Sequence, residues 1–180
     1  MTIFSARDDS PVGRLTLAAG EQGLAGLWLD GQKYFGDTVD GVFVEAPDMP
    51  LLKKARQWLD AYFAGRKPAV SALPLAPAGG EFRREVWKIL CEIPYGEYMT
   101  YGEIARLMAK RLNRKSMSSQ AVGGAVGHNP ISIIIPCHRV VGSNGSLTGY
   151  AGGIAAKKKL LELEGVDVSR FSTPKKGSAL

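Results

Sequence analysis

The chain has 180 residues, 45% of them hydrophobic and 22% charged, with a formal net charge of +6. These are ordinary values for a globular protein of one medium domain or two small ones. No apolar run is long enough to cross a bilayer, and the first seven residues lack a basic region followed by an apolar stretch, so membrane-embedded and secreted classes are set aside and a cytoplasmic protein is expected.

Two cysteines, Cys91 and Cys137, and two histidines could together hold one zinc ion. No Cys-x-x-Cys or spaced histidine pair is present, so neither a metal site nor another cofactor is expected. A reducing compartment also disfavours a disulfide. The charge is uneven: residues 1–79 sum to −1 and residues 80–180 to +7. A basic C-terminal half points to an anionic partner, nucleic acid being the commonest.

Residues 12–18 and 24–29 alternate like two strands around the turn residues 19–23, a hairpin pattern, and residues 42–44 offer a third strand. Asp48 before Pro50 reads as a helix start. Leu51, Leu52, Ala55, Trp58, Leu59, Tyr62 and Phe63 then recur at helical spacing up to Gly65. Trp28 and Trp58 read as core residues, and residues 1–66 hold no catalytic constellation. Residues 67–80, with Pro68, Pro74 and Pro77 and a closing Ala78-Gly79-Gly80, read as a linker.

Phe82, Val86, Ile89 and Leu90 define a helix over 82–92, with Trp87 beside them and Cys91 packed within it. Thr100-Tyr101-Gly102-Glu103 has the form of a capping box opening the next helix. That helix runs into the basic stretch 110–115, and a further helix starts near Ser118 or Ser119. Together they form a helix-turn-helix pattern. Ala121, Gly123, Gly124, Ala125 and Gly127 leave the second helix almost without bulk. Glycine costs about 1 kcal/mol relative to alanine inside a helix, so something must come close. Two readings stay open: a helix lying in a narrow groove against sugar and phosphate, or close packing in a crowded core.

The β-branched run 131–135 leads through Pro136 to Cys137 and His138, so residues 131–140 read as a buried strand delivering a thiol at its end. The plain alternative is a structural cysteine beside a chance histidine. In a strand the two side chains would point to opposite faces, so contact would need a bend or a bridging water. Residues 141–150 form a glycine-rich loop over any pocket at Cys137. Residues 155–164 read as a last helix, with Lys157-Lys158-Lys159 as its solvated face or touching phosphate. A carboxylate at its end, Glu164, is disfavoured by the helix dipole and more plausible when paired with a group such as His138. Residues 171–180 read as a frayed tail.

Pro136-Cys137-His138-Arg139-Val140, preceded by Asn129-Pro130 and followed by Gly149-Tyr150-Ala151-Gly152-Gly153 and Leu160-Leu161-Glu162-Leu163-Glu164-Gly165, resembles the O6-alkylguanine-DNA alkyltransferases, the methylated-DNA–protein-cysteine methyltransferases. The likeness spans about 82–166, including Val86-Trp87 and Tyr101. It implies an α+β protein of two domains: a ribonuclease-H-like α/β supporting domain over 1–66, and a winged-helix-like DNA-binding alkyltransferase domain with the helix-turn-helix over 81–170. It also implies direct-reversal repair, in which a damaged guanine is flipped out of duplex DNA and its alkyl group passes irreversibly to the protein's own cysteine, because O6 is out of reach in the stack.

By the same resemblance Cys137 is the acceptor, His138 activates it through water, and Glu164 orients His138. Tyr101, Asn129, Val140, Tyr150 and Ala151 form the substrate pocket, with Tyr101 on the guanine N3 and Asn129 pinning the turn before the thiol. Gln120, Ala121, Gly123, Gly124, Arg114, Lys115 and Ser143 face DNA. The implied partner is double-stranded DNA carrying O6-alkylguanine, with O4-methylthymine a further candidate lesion, and the implied state is a monomer. Tyr101 also suits plain packing at a helix start, Asn129 an ordinary turn, and His128 an exposed helix end. The family usually carries an arginine in the recognition helix to fill the gap left by the flipped base; Gln120 stands at that position and brings no charge. The alternative function is a non-enzymatic alkylated-DNA-binding relative, which would replace the acceptor cysteine. A thiol hydrolase would leave the basic helix-turn-helix unexplained.

Overall fold

β1 (Thr2–Ser10) pairs antiparallel with β2 (Gly13–Gly20), which returns as β3 (Gly23–Leu29). The edge strand β4 (Val42–Glu45) joins β1 in parallel, giving the order β3-β2-β1-β4. The hairpin and β4 lie where alternation put them. β1 has no such signal: its buried residues, Ile3 and Ala6, are three apart, which breaks the every-second-residue pattern. At Gly23 φ is +151°, and an added Cβ would lie 2.6 Å from Pro74 O, so both the turn and the close approach require glycine.

α1 (Pro50–Phe63) packs Leu52, Ala55, Trp58, Leu59 and Tyr62 against this sheet. Met49, not Asp48, is its N-cap and makes no side-chain bond; Pro50, with φ preset for a helix, opens the first turn instead. The expected linker is fastened down within this unit. Trp58 Nε1 donates to Ala69 O (2.8 Å), Leu73 is buried, and Leu24 N donates to Pro74 O while Ala76 N donates to Leu24 O (both 2.8 Å).

The structure, a computed structural model, describes residues 1–173. It divides into two units: Met1–Gly79 with Pro130–Ile134, and Gly80–Asn129 with the chain from Ile135 onward. Among the described residues no helix is long and apolar enough to cross a membrane.

The second unit holds α2 (Glu81–Glu92), α3 (Tyr101–Arg111), α4 (Ser119–Gly127) and α5 (Ile154–Leu163). A two-stranded parallel sheet pairs β5 (Met99–Thr100) with β6 (Val140–Val141). Val86, Trp87, Ile89 and Leu90 form the buried face of α2, and Trp87 Nε1 donates to Ala125 O of α4 (2.9 Å). The Thr100–Glu103 capping box forms as the sequence predicts. α3, a basic turn and α4 make the helix-turn-helix, and Ser118 caps α4 by accepting from Ala121 N (3.2 Å).

The expectation of a strand over 131–140 is corrected. Ile131 makes a single parallel bridge with Leu27, the chain then turns, and Ile133 adopts φ +71°. That conformation costs a β-branched residue about 1–3 kcal/mol. Cys137–Arg139 is one turn of 3-10 helix, and regular pairing starts only at Val140. The β-branched run reported burial rather than pairing: residues 130–141 are all buried, which erases any alternation that would distinguish strand from turn.

The tail is also corrected at its start. Phe171 packs against the cluster of Val141, Leu147, Leu161 and Val166, and Ser172 bonds to Gly145 and Leu147. Residues 174–180 lie outside the described residues.

Candidate active site

The cysteine opens the 3-10 turn. Pro136 precedes it without an N–H to donate, and Cys137 N donates back to Ile135 O (2.8 Å). Its thiol is free and 4% exposed. Three residues per turn separate Cys137 and His138 by about 120° around the axis, rather than on opposite faces as in a strand.

His138, fully buried, donates through Nε2 to Glu164 Oε2 (2.5 Å). Glu164 caps the C-terminus of α5, and two further groups join His138 in offsetting the unfavourable helix dipole there. Arg139 reaches its two oxygens through Nε (2.7 Å) and Nη2 (3.2 Å), and Gly96 N donates to Oε1 (3.1 Å). Arg139 is itself anchored by Nη1 on Ile93 O (2.7 Å) and stacks over Tyr95.

Burial alone would raise the Glu164 carboxyl, but the hydrogen bonds from His138 and Arg139 and the Arg139 charge hold it down, to about 2 in the acid range where His138 is charged as well. Burial lowers His138 below the ordinary histidine value of 6.5 despite the carboxylate, because Arg139 already balances that charge. The array is therefore Arg139⁺, Glu164⁻ and neutral His138. Burial pushes the Cys137 thiol up to about 11, opposed by the Asn129 hydrogen bond and the Lys157 charge.

Lys157 corrects the solvated-face reading of the lysine run. Lys158 and Lys159 are exposed, whereas Lys157 is 0% exposed. Its Nζ donates to Val140 O and to Thr148 O, the latter at 2.8 Å. Tyr101 OH donates to the same Thr148 carbonyl (3.0 Å). Lys157 thus ties the chain after the thiol to the loop above it. Burial depresses its amine to about 8, with the Cys137 charge acting in the opposite sense. Arg139 and Lys157 were missed as site residues. Arg139 directly follows His138 in the motif, and Lys157 falls on the inward stripe 154, 157, 161, 164 of α5.

Asn129 Nδ2 donates to Ile135 O (2.8 Å), closing the base of the 130–134 excursion just before the thiol. The Tyr150 ring stands edge-on to His138 at 6.4 Å. Val140 is buried, and its carbonyl keeps a second lone pair beside the Lys157 bond. Ala151 is half-buried in the loop.

On the helix-turn-helix, Gln120, Ala121 and Gly124 of α4 are exposed, as are Arg114, Lys115 and Ser143. Gly123 is corrected: it is buried on the inner face of α4 and offers no surface to DNA. His128 is half-buried, with Nδ1 2.7 Å from Gly124 O. Among the described residues no group of three or more His, Cys, Asp and Glu could hold a metal ion.

Residues 81–166 match the family described as 6-O-methylguanine DNA methyltransferase, DNA binding domain, and residues 4–77 match its ribonuclease-like domain. The chain belongs to the O6-methylguanine-DNA methyltransferase family. A methylated-DNA–protein-cysteine methyltransferase of Methanosarcina acetivorans is 45% identical over 168 residues, covering 91% of this chain and 99% of that protein. One of Haemophilus influenzae is 41% identical over 155 residues, covering 86% and 82%. The crystal structure of Mycobacterium tuberculosis OGT in complex with DNA superposes with a TM-score of 0.75 at 41% identity, covering 95% of each chain. The α+β architecture, a ribonuclease-like domain followed by a DNA-binding domain, is that of the methyltransferase family.

Proposed function

We propose that this protein repairs O6-alkylguanine in duplex DNA by moving the alkyl group irreversibly onto Sγ of Cys137, once per molecule. The observation that carries the reading is a free, buried cysteine adjoining a buried His138–Glu164–Arg139 array, in a chain that belongs to the methyltransferase family. The unit formed by residues 80–129 and the chain from 135 onward binds and reacts, and the unit formed by residues 1–79 with 130–134 supports it. Both cysteines are free thiols, in keeping with a cytoplasmic location.

With Glu164 ionised, Nε2 of His138 must carry the hydrogen of their bond, so Nδ1 is the basic nitrogen. The thiol proton passes to it through a water. The thiolate attacks the alkyl carbon, an S–C bond forms, the C–O6 bond breaks, and its electron pair stays on the guanine. Tyr101, kept protonated because burial raises its phenol, exchanges its bond to Thr148 O for one to guanine N3 and stabilises that charge. Asn129 and Lys157 hold the turn and the loop between which the flipped base enters. α4 lies along the minor groove, with Gln120 as an uncharged wedge in the vacated stack.

Intact-mass analysis after mixing with an O6-methylguanine duplex tests the reading. One methyl per protein, on Cys137 and absent in Cys137→Ala, is expected. Methyl release with repeated turnovers would rule the stoichiometric mechanism out.

A further inference from the structure

Away from the thiol, α3 and the turn that follows it enclose a cavity of about 480 Å³. Four cations line it: Arg106 and Lys110 of α3, and Arg114 and Lys115 of the turn. The lining contains no acidic residue, and its floor is the small pair Ala105 and Ala109. Among the described residues none of the four cations makes an ion pair, although other cations of the same unit do: Arg111 of α3 binds Glu92 of α2 (2.6 Å), and Lys88 of α2 binds Glu85 (2.6 Å).

This arrangement works against stability. Arg106 and Lys110 stand four residues apart on one exposed helix face, where like charges repel, and Arg114 and Lys115 add two more. The α3 dipole favours Lys110 in the last turn but offers nothing to the other three. Four unbalanced charges around one cavity call for anions from outside. Gly102, on the cavity lining, lies close to the thiol's loop: an added Cβ there would lie 3.3 Å from Ser143 Oγ and 3.8 Å from Arg106 Nη1.

We propose that this cavity clamps two successive phosphates of one DNA strand, a backbone site on α3 and its turn that is separate from the groove-facing surface of α4. The inference rests on the DNA-repair reading above. Each backbone phosphate carries one negative charge, so four cations exceed what a single phosphodiester needs, and the volume exceeds one phosphate group. A clamp of this kind fixes where α4 meets the duplex without reading sequence.

The test is a salt titration of duplex binding by the full chain, comparing wild type with Arg106→Gln/Lys110→Gln and with the charge-keeping Arg106→Lys/Lys110→Arg. Losing two phosphate contacts should flatten the slope of log K against log salt by about 2. The charge-keeping variant should retain the wild-type slope, and all three proteins should react equally fast with the free O6-methylguanine base, which needs no backbone contact. An unchanged slope in the glutamine variant, with wild type binding steeply, overturns the clamp and leaves the repair reading intact. A wild type that neither binds duplex nor accepts a methyl group overturns both.

Discussion

The buried thiol of Cys137, pushed up to about 11, is ionised in only about one molecule in ten thousand at pH 7. Alkyl transfer therefore depends on a base that takes the proton as the reaction proceeds. His138, the proposed base, can serve only while it is neutral, and burial keeps it so, with the Arg139 charge acting in the same sense. In Glu164→Gln the amide can still orient the imidazole but cannot stabilise the imidazolium, so single-turnover transfer should slow by about 100-fold. Stability should move as well. A carboxyl at about 2 in the folded protein, against an ordinary 4.5, contributes stability above pH 4.5 that is lost as the pH falls toward 2, about 3 kcal/mol in all. Urea melts across that window should show a steeper acid limb in wild type than in Glu164→Gln, where only groups such as the buried His138 still contribute one. The variant's plateau should lie about 3–5 kcal/mol lower because Arg139 is left buried and unpaired. Equal acid limbs would mean the carboxylate is not held as described. Cys137, His138 and Glu164 were legible because a motif and an ill-favoured helix-end carboxylate mark them. Lys157 was not, because a run of three lysines reads as solvated until helical phase is applied residue by residue.

The elements carry a second distinction that composition leaves open. Glycines at 123 and 124 fit groove binding and tight packing equally well, and the structure separates them: Gly123 is buried, while a Cβ on Gly124 would meet nothing within 4 Å. Gly124→Ala should therefore stabilise the protein by up to about 1 kcal/mol through helix propensity, since no neighbour opposes it. The same methyl, and more so the side chain of Gly124→Leu, should weaken duplex binding by holding α4 away from sugar and phosphate. Thermal melts and anisotropy titrations on the same samples check this, and the two should move in opposite directions. Falling stability with unchanged binding would assign Gly124 to packing. The helices were legible from their spacing and caps because each buries one stripe. The 131–140 segment was not, since a run buried on all sides carries no periodicity and its turn at Ile133 uses a conformation that no β-branched residue advertises.

At the scale of the whole chain, charge and fold divide it differently. The basic excess begins near residue 80, and continuous domains of 1–66 and 81–170 follow naturally from that shift. The compact units are instead discontinuous, the first being completed by Pro130–Ile134. The link is a set of pairings about one hundred residues apart: Leu27 N to Pro130 O and Ser132 N to Leu27 O (both 2.9 Å), and Ser132 Oγ to Gln32 Oε1 (3.2 Å). No local pattern announces such pairing, since neither partner segment reads as an edge seeking the other. A fragment of residues 80–180 would keep every proposed reacting side chain yet uncover Ile131 and Ile134, both fully buried in the whole chain. Burial of each contributes about 1.5–3 kcal/mol. The uncovered residues lie directly before Cys137, so loss of their hold reaches the thiol. The fragment should bind a hydrophobic dye, aggregate at concentrations where the full chain stays dispersed, and transfer alkyl groups at least tenfold more slowly. Dye binding, light scattering and the intact-mass assay measure the three effects. A dispersed, dye-silent fragment reacting at the full-chain rate would mean the first unit's hold on 130–134 does not serve the site.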